Sequence, residues 1–530
     1  MKKTILSKAI ILALIAAPAH SAEQTDNITV IGEAVDQELP FSAIPFSSES
    51  VSSGTTTGEA LRNIPGVSGS RMGGHGTDPS IRGQSQNRLN ILLDGAFVHG
   101  GCPNRMDPPT AYAPMESYDE ITIIRGVQTL EHGGGGSGGT VLFERKTPAF
   151  QDGEGIRFKG GLGYKSNSDT KDFNVDISGG NSNGYLRLLA GAGEADDYED
   201  GSGNEVRSAY ESKNAALIAG LTPDSNSRYE LSVEATREDD VLFAGSGMDS
   251  PYSDNDTVRL KIEKTNLSGL FSSFKADLGY SEVDHLMDNY SLRPLTAAAR
   301  MDNTVDSDTL TGRVVGTIDA ANGQWTLGLD HQGNDRDSLV QRNGGDWWFM
   351  WPGVENRQTG AFGEYNHSID NDNRITAGLR YDYVTAKATR AAGLPGGAAG
   401  RSPNTYYNAQ YGVTASDKTE HNWGGLLRWE HDFSNVNTFY GTLSRSVRTA
   451  DATERYVARN TWIGNPDIDP EKHHQVEIGI VNKGNNGLTF QGSLFYNNVD
   501  DFIYKYQNAV GAATAGNPVL YKNIDAELYG

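Results

Sequence analysis

Beyond about residue 155 the chain alternates apolar and polar side chains over long stretches. Tyr229, Leu231, Val233 and Ala235 alternate with Glu230, Ser232, Glu234 and Thr236, and Val258, Leu260 and Ile262 with Arg259, Lys261 and Glu263. Ile375, Ala377, Leu379, Tyr381 and Tyr383 alternate with Thr376, Gly378, Arg380 and Asp382, and Leu488, Phe490, Gly492, Leu494 and Tyr496 share one further face. Period two predicts strands with one apolar and one polar face. In a soluble sandwich the apolar faces would pack on each other. In a membrane barrel they would face lipid while the polar faces line the lumen. The connections favour the barrel: Asn181–Gly184 and Pro223–Asn226 are short turns, whereas Thr389–Val413 and Val447–Lys472 are long. The sandwich remains the weaker alternative.

The N-terminal third is organised differently. Lys2, Lys3 and Lys8 flank the apolar run Ala9–Ala17, and Pro18, Ala19, His20, Ser21 and Ala22 follow. This is the layout of a cleaved signal peptide over residues 1–22, with the cut between Ala19 and Ala22. The run is far short of the roughly 20 residues a spanning helix needs. Residues 23–47 are polar and aperiodic. Residues 48–148 form a glycine-rich α/β unit, in which Gly133–Gly139 separates the strand-like stretches Ile121–Ile124 and Thr140–Phe143. The alternating region runs from 149 to 530.

Composition narrows the function. The formal net charge is −23, which makes nucleic acid a poor partner, since phosphate binding needs clustered Lys and Arg. No convergent acid–base or nucleophile set stands out, so no enzyme is expected. Gly135–Gly139 has the spacing of a nucleophile elbow, and Gly133, Gly135 and Gly138 that of a dinucleotide fingerprint. Both require a helix afterwards, and a strand-like stretch follows instead. Cys102 is the single cysteine of an exported chain, so it has no internal disulfide partner.

Several motifs, in order, resemble those of TonB-dependent outer-membrane receptors. Asp26–Gly32 resembles a TonB box, with Ile28, Thr29, Val30 and Ile31 as the pairing segment. Gly58–Val67 resembles the start of the family's plug domain. Ile81-Arg82-Gly83 with Asn87–Gly95 resembles its central motif, and Ile124–Val127 with the glycine run its closing motif. Gly464–Lys472 resembles a late barrel loop. The resemblance implies a plug domain over 48–148 inside a membrane β-barrel, a periplasmic segment over 23–47 that adds as a strand to TonB, and residence among outer-membrane lipid. It also implies nutrient import. Such plugged barrels have 22 strands. About 16 precede Gly530 on the alternating pattern, so the barrel is expected to be C-terminally incomplete here.

One pair of short motifs points to the cargo. Cys102-Pro103-Asn104-Arg105-Met106 lies in a plug loop closed by Asp107-Pro108-Pro109, and His285-Leu286-Met287 ends a barrel strand. The plain reading is a buried small hydrophobe and gap-filling methionines. Strand phase argues for more. Phe274, Ala276, Leu278 and Tyr280 form the lipid-facing set of the seventh barrel strand, so His285 and Met287 continue the odd, inward set. Thiolate, thioether and imidazole are soft donors that suit Cu(I). C-x-x-x-M in the plug with H-x-M in the barrel resembles the copper-importing receptors of the OprC/NosA type, whose four corresponding side chains bind copper. That resemblance implies the ligands Cys102, Met106, His285 and Met287. His99 is a possible substitute ligand. Met72, His75 and Met115 would serve either as a transient path or as ordinary loop and core residues. Asp346–Trp351 reads as a loop cluster rather than an interfacial girdle. A ferric-siderophore receptor, and after it a passive porin, are the alternatives.

Overall fold

The computed structural model describes residues 43–47, 56–148, 150, 155–396, 401–484 and 489–530. The signal stretch, Ile28–Ile31 and Leu488 lie outside these residues.

The plug contains a four-stranded sheet in the order Ala43–Ser47, Glu120–Arg125, Gly139–Glu144, Leu89–Leu93, the last two parallel and the other pairs antiparallel. Its edge strand corrects the boundary read at 48: the last five residues of the aperiodic segment pair with Glu120–Ile124. Side-chain periodicity does not register so short a strand. The glycine run leads into a strand, as its flanking residues predict, which removes both enzyme-like motifs. Thr56 caps the helix Thr57–Arg62 reciprocally with Glu59. Leu61, Ile81, Leu93, Ile121, Ile123, Val141 and Phe143 form the plug's core.

Sixteen antiparallel strands form the second body, hydrogen-bonded in chain order from Ile156–Lys165 to Leu520–Tyr529. The alternating faces are inverted relative to a soluble protein. Leu231, Val258, Leu379, Phe490 and Leu494 are exposed, while Ser232, Arg259, Thr376, Arg380 and Asp382 are buried. Apolar side chains thus point outward and polar ones into an interior filled by the plug, which rules out the sandwich.

Short turns at 182–183 and 225–226 alternate with long connections. The connection 389–417 carries the helix Pro403–Tyr411, and 449–470 carries the helix Ala452–Tyr456 and a small hairpin. These long connections fold inward: Tyr407 donates to the Tyr456 carbonyl at 2.6 Å, and the Trp351 indole to Thr453 at 3.2 Å. Asp346–Trp351 is not a loop. It opens the 24-residue strand Gly345–Ser368, paired with Gly323–Arg342 through a two-residue turn at Asn343 and Gly344, φ 50° and 78°. Those residues suit the left-handed turn that a tight hairpin needs. Irregular register at Ser338 and Val340 breaks the simple alternation there.

Buried ion pairs dock the plug. Arg82 grips Glu477 with two bonds of 2.9 and 2.7 Å, and Arg145 grips Glu234 at 2.7 and 2.8 Å. Arg88 and Arg448 share Glu471.

Candidate functional site

The seventh barrel strand, Ser273–Asp288, carries the first half of the site. Its odd residues Ser281, Val283, His285 and Met287 are buried against the plug, while Leu278 and Tyr280 are exposed. The phase read from the sequence therefore holds to the strand's end without a bulge. His285 pairs across the sheet with Ser253 and Val305.

The second half is the plug loop at Cys102. A turn closed by Arg105 N–H to the Cys102 carbonyl, 2.8 Å, brings Met106 back beside Cys102. Arg105 adopts φ 55° at this turn and is held by a two-bond ion pair to Asp78, 2.8 and 3.0 Å. Asp107 fixes the loop's other end. One carboxylate oxygen accepts the Cys102 N–H at 2.8 Å. The other accepts the Gly101 N–H and the Tyr112 hydroxyl, both at 2.6 Å. Tyr112 also meets Ser253 at 2.6 Å, which ties the loop to the strand beside His285. Gly101 permits the approach: a Cβ there would lie 2.6 Å from the Cβ of His285.

Plug and barrel thus bring three sulfurs together. Cys102, Met106 and Met287 share one buried cluster with Val241 and Phe243, and Met72 and Met248 pack against it. Cys102 Sγ lies 3.9 Å from Met287 Sδ. His285 is 1% exposed, and among the described residues neither ring nitrogen has a hydrogen-bond partner. Its Nδ1 stands 3.9 Å from Asp107, beyond hydrogen-bond reach. Buried imidazole nitrogens are normally satisfied, so this ring is open to a ligand. Burial pushes the Cys102 thiol up to about 12, and the Asp107 charge adds to it, against backbone hydrogen bonds from the loop. The thiol is neutral in the absence of a cation, and a bound cation would displace its proton. Among the described residues no three His, Cys, Asp or Glu side chains are arranged to hold a metal. The donors here are instead one thiol, one imidazole and thioethers, a set suited to a soft ion.

The remaining candidates lie elsewhere. His99 is engaged elsewhere, its Nε2 2.6 Å from the Gln332 amide. Burial, then the Arg336 charge, holds it well below the ordinary histidine range. His75 sits 3.1 Å from Glu238, and Met115 belongs to the plug core. Met72 borders the sulfur cluster. Val241, Phe243 and Met248 build the pocket with Asp107 but carry no sequence signal of that role. The Asp-Pro-Pro stop after Met106 was the one available hint of a fixed loop end.

Comparison with known proteins agrees with this architecture. The model described as TonB-dependent receptor plug domain matches residues 37–140, and that described as TonB-dependent receptor-like β-barrel matches 149–530. Among solved structures the copper transporter OprC superposes with a TM-score of 0.81 at 29% identity, over 92% of this chain and 74% of that one. The hemophore receptor HasR of Serratia marcescens superposes with a TM-score of 0.70 at 17% identity, over 93% of this chain and 78% of that one, and shows the shared fold alone. The iron-regulated outer membrane virulence protein of Vibrio cholerae is 24% identical over 97% of this chain and 76% of its own length. Relatives of differing cargo thus share one scaffold, and with models matching both its plug and its barrel, this chain belongs to the TonB-dependent receptor family of outer-membrane proteins, which are not enzymes and work with TonB.

Proposed function

We propose that this receptor captures copper, as Cu(I), at Cys102, Met106, His285 and Met287 and delivers it to the periplasm when TonB acts on the plug. The observation that carries this reading is the approach of a plug thiol to a barrel thioether, 3.9 Å, beside a buried imidazole with two unpartnered nitrogens. Soft donors favour Cu(I) over hard cations. Placing two ligands on the plug and two on the wall makes binding sensitive to plug movement: any displacement of the Cys102 loop parts the donors and releases the ion. Cys102 is the one donor that becomes anionic, so it offsets the metal's charge in a dry pocket. Ile28–Ile31 is the segment that would pair with TonB as an added strand. The OprC likeness supports the copper reading. A ferric-siderophore receptor would instead present a wide polar vestibule to a large chelate.

The test is copper stoichiometry on purified wild type, Cys102→Ala, Met287→Ala and the double variant. Wild type should retain one copper per chain, Cys102→Ala none, and Met287→Ala should bind more weakly. Full retention by Cys102→Ala, or saturable binding of ferric chelates in place of copper, overturns the assignment.

A further inference from the structure

The loop that presents Cys102 and Met106 has a second side, and a different chemistry faces it. A cavity of about 100 Å³ between plug and barrel is lined by His99, Arg105, Gln332, Asn334, Arg336 and Asn356, with Asp451 also on its wall. Several waters or one small anion fit such a space.

Arg336 sets its character. The residue is 7% exposed and projects inward from the strand Gly323–Arg342. Its guanidinium lies 4.9 Å over the Trp351 ring. Its Nε is buried without a hydrogen-bond partner, and among the described residues its guanidinium has neither a hydrogen bond nor a carboxylate within ion-pair distance. Neighbouring arginines differ. Arg105 is paired with Asp78, and Arg448 with Glu454 and Glu471. Asp451 is already engaged, accepting from Asn87 at 3.3 Å and from the Glu454 N–H at 2.8 Å. A second orphan shares the wall: Asn356 Oδ1 is buried and unpartnered. Amide orientation is interchangeable, so the same side chain can turn its NH2 toward an acceptor. A buried, unpaired cation is costly unless something compensates it.

We propose that this cavity is a binding site for a small oxyanion, a carboxylate or phosphate, received by Arg336 with the amide of Asn356 beside it. The planar guanidinium fork matches two oxygens of such a group. The site is distinct from the sulfur cluster. Arg336 pairs with Ser307, and Ser307 with Val283, one inward position below His285. Two strand spacings and one side-chain repeat put Arg336 roughly 12 Å from His285. The oxyanion site does not depend on the copper assignment.

The experiment is calorimetric titration of purified full-length chain in detergent with sodium acetate and, separately, inorganic phosphate, at constant ionic strength in chloride. Wild type should bind one anion per chain, and the tighter arm identifies carboxylate or phosphate. Arg336→Gln should weaken binding about tenfold or more, the loss expected for charge-assisted hydrogen bonds. Arg336→Lys should retain weaker binding, and bromide soaked into crystals should give an anomalous peak at Arg336. These last two readouts decide the matter if Arg336→Gln does not fold. Cys102→Ala should leave anion binding unchanged, so failure of the copper reading and of this one are separable. Absence of saturable binding by both anions, or equal binding by Arg336→Gln, overturns the proposal.

Discussion

The plug touches the barrel wall in two contrasting ways. Along a seam spread around the wall the contacts are paired charges: Arg82 on Glu477, Arg145 on Glu234, Arg88 with Arg448 on Glu471. Tyr440 adds a hydrogen bond to Glu477 at 2.8 Å. At the Cys102 loop the wall meets clustered sulfurs and one hydrogen bond, Tyr112 to Ser253, while His285 is unanswered among the described residues. A buried ion pair with every donor placed is hard to leave half-made, because removing one partner strands the other. A cluster of sulfurs loses little when it opens, since thioethers need no hydrogen bond. The difference separates holding from sensing: the seam fixes where the plug sits, and the sulfur pocket is free to be completed or vacated by a ligand.

Breaking the seam should have the largest effect. Glu477→Ala leaves Arg82 buried and uncompensated, and should cost about 3–5 kcal/mol of plug stability. Thermal unfolding of the plug and its protease sensitivity measure this. An unchanged plug would mean that the seam is not what holds it.

Acid should loosen the same boundary from a different place. His132 lies 3.3 Å from Arg313, and burial lowers its imidazole to about 4, with nearby Glu131 opposing and Arg313 reinforcing the shift. An unfolded histidine takes a proton near 6.5. As pH falls from 6.5 towards 4 the unfolded plug gains a proton that the docked plug refuses, so stability is intact above this window and is lost within it. At pH 5 the loss should be about 2 kcal/mol. A His132→Gln chain should lack this part of the pH dependence in parallel unfolding scans.

The smallest structural effect should come from the soft pocket. Met106→Leu conserves volume, so its cost to stability should stay below about 1.5 kcal/mol. Copper affinity should nevertheless fall measurably in a competition titration with a Cu(I) chelator, since leucine offers no donor. Equal affinity would remove Met106 from the ligand set while leaving the packing argument intact.

Much of this was legible along the chain, where the governing pattern is local. Alternation at Phe274–Tyr280 fixed the inward face, and it carried correctly through to His285 and Met287 because no bulge intervenes in Ser273–Asp288. Alternation failed at Trp347–Trp351, where irregular pairing with Gly323–Arg342 interrupts the period. Ala43–Ser47 is too short for any period and is a strand only because Glu120–Arg125 offers it an edge.

The sequence by itself determined the period-two faces, the plug-and-barrel order and the soft donor types at Cys102, Met106, His285 and Met287, because side-chain direction in a strand follows from position alone. Only the tertiary structure decided which groups meet. Arg82 finds Glu477, Asp107 locks the Cys102 loop beneath His285, and Arg336 is left without a carboxylate partner among the described residues, because seating the plug in the barrel joins residues hundreds of positions apart that no local pattern pairs.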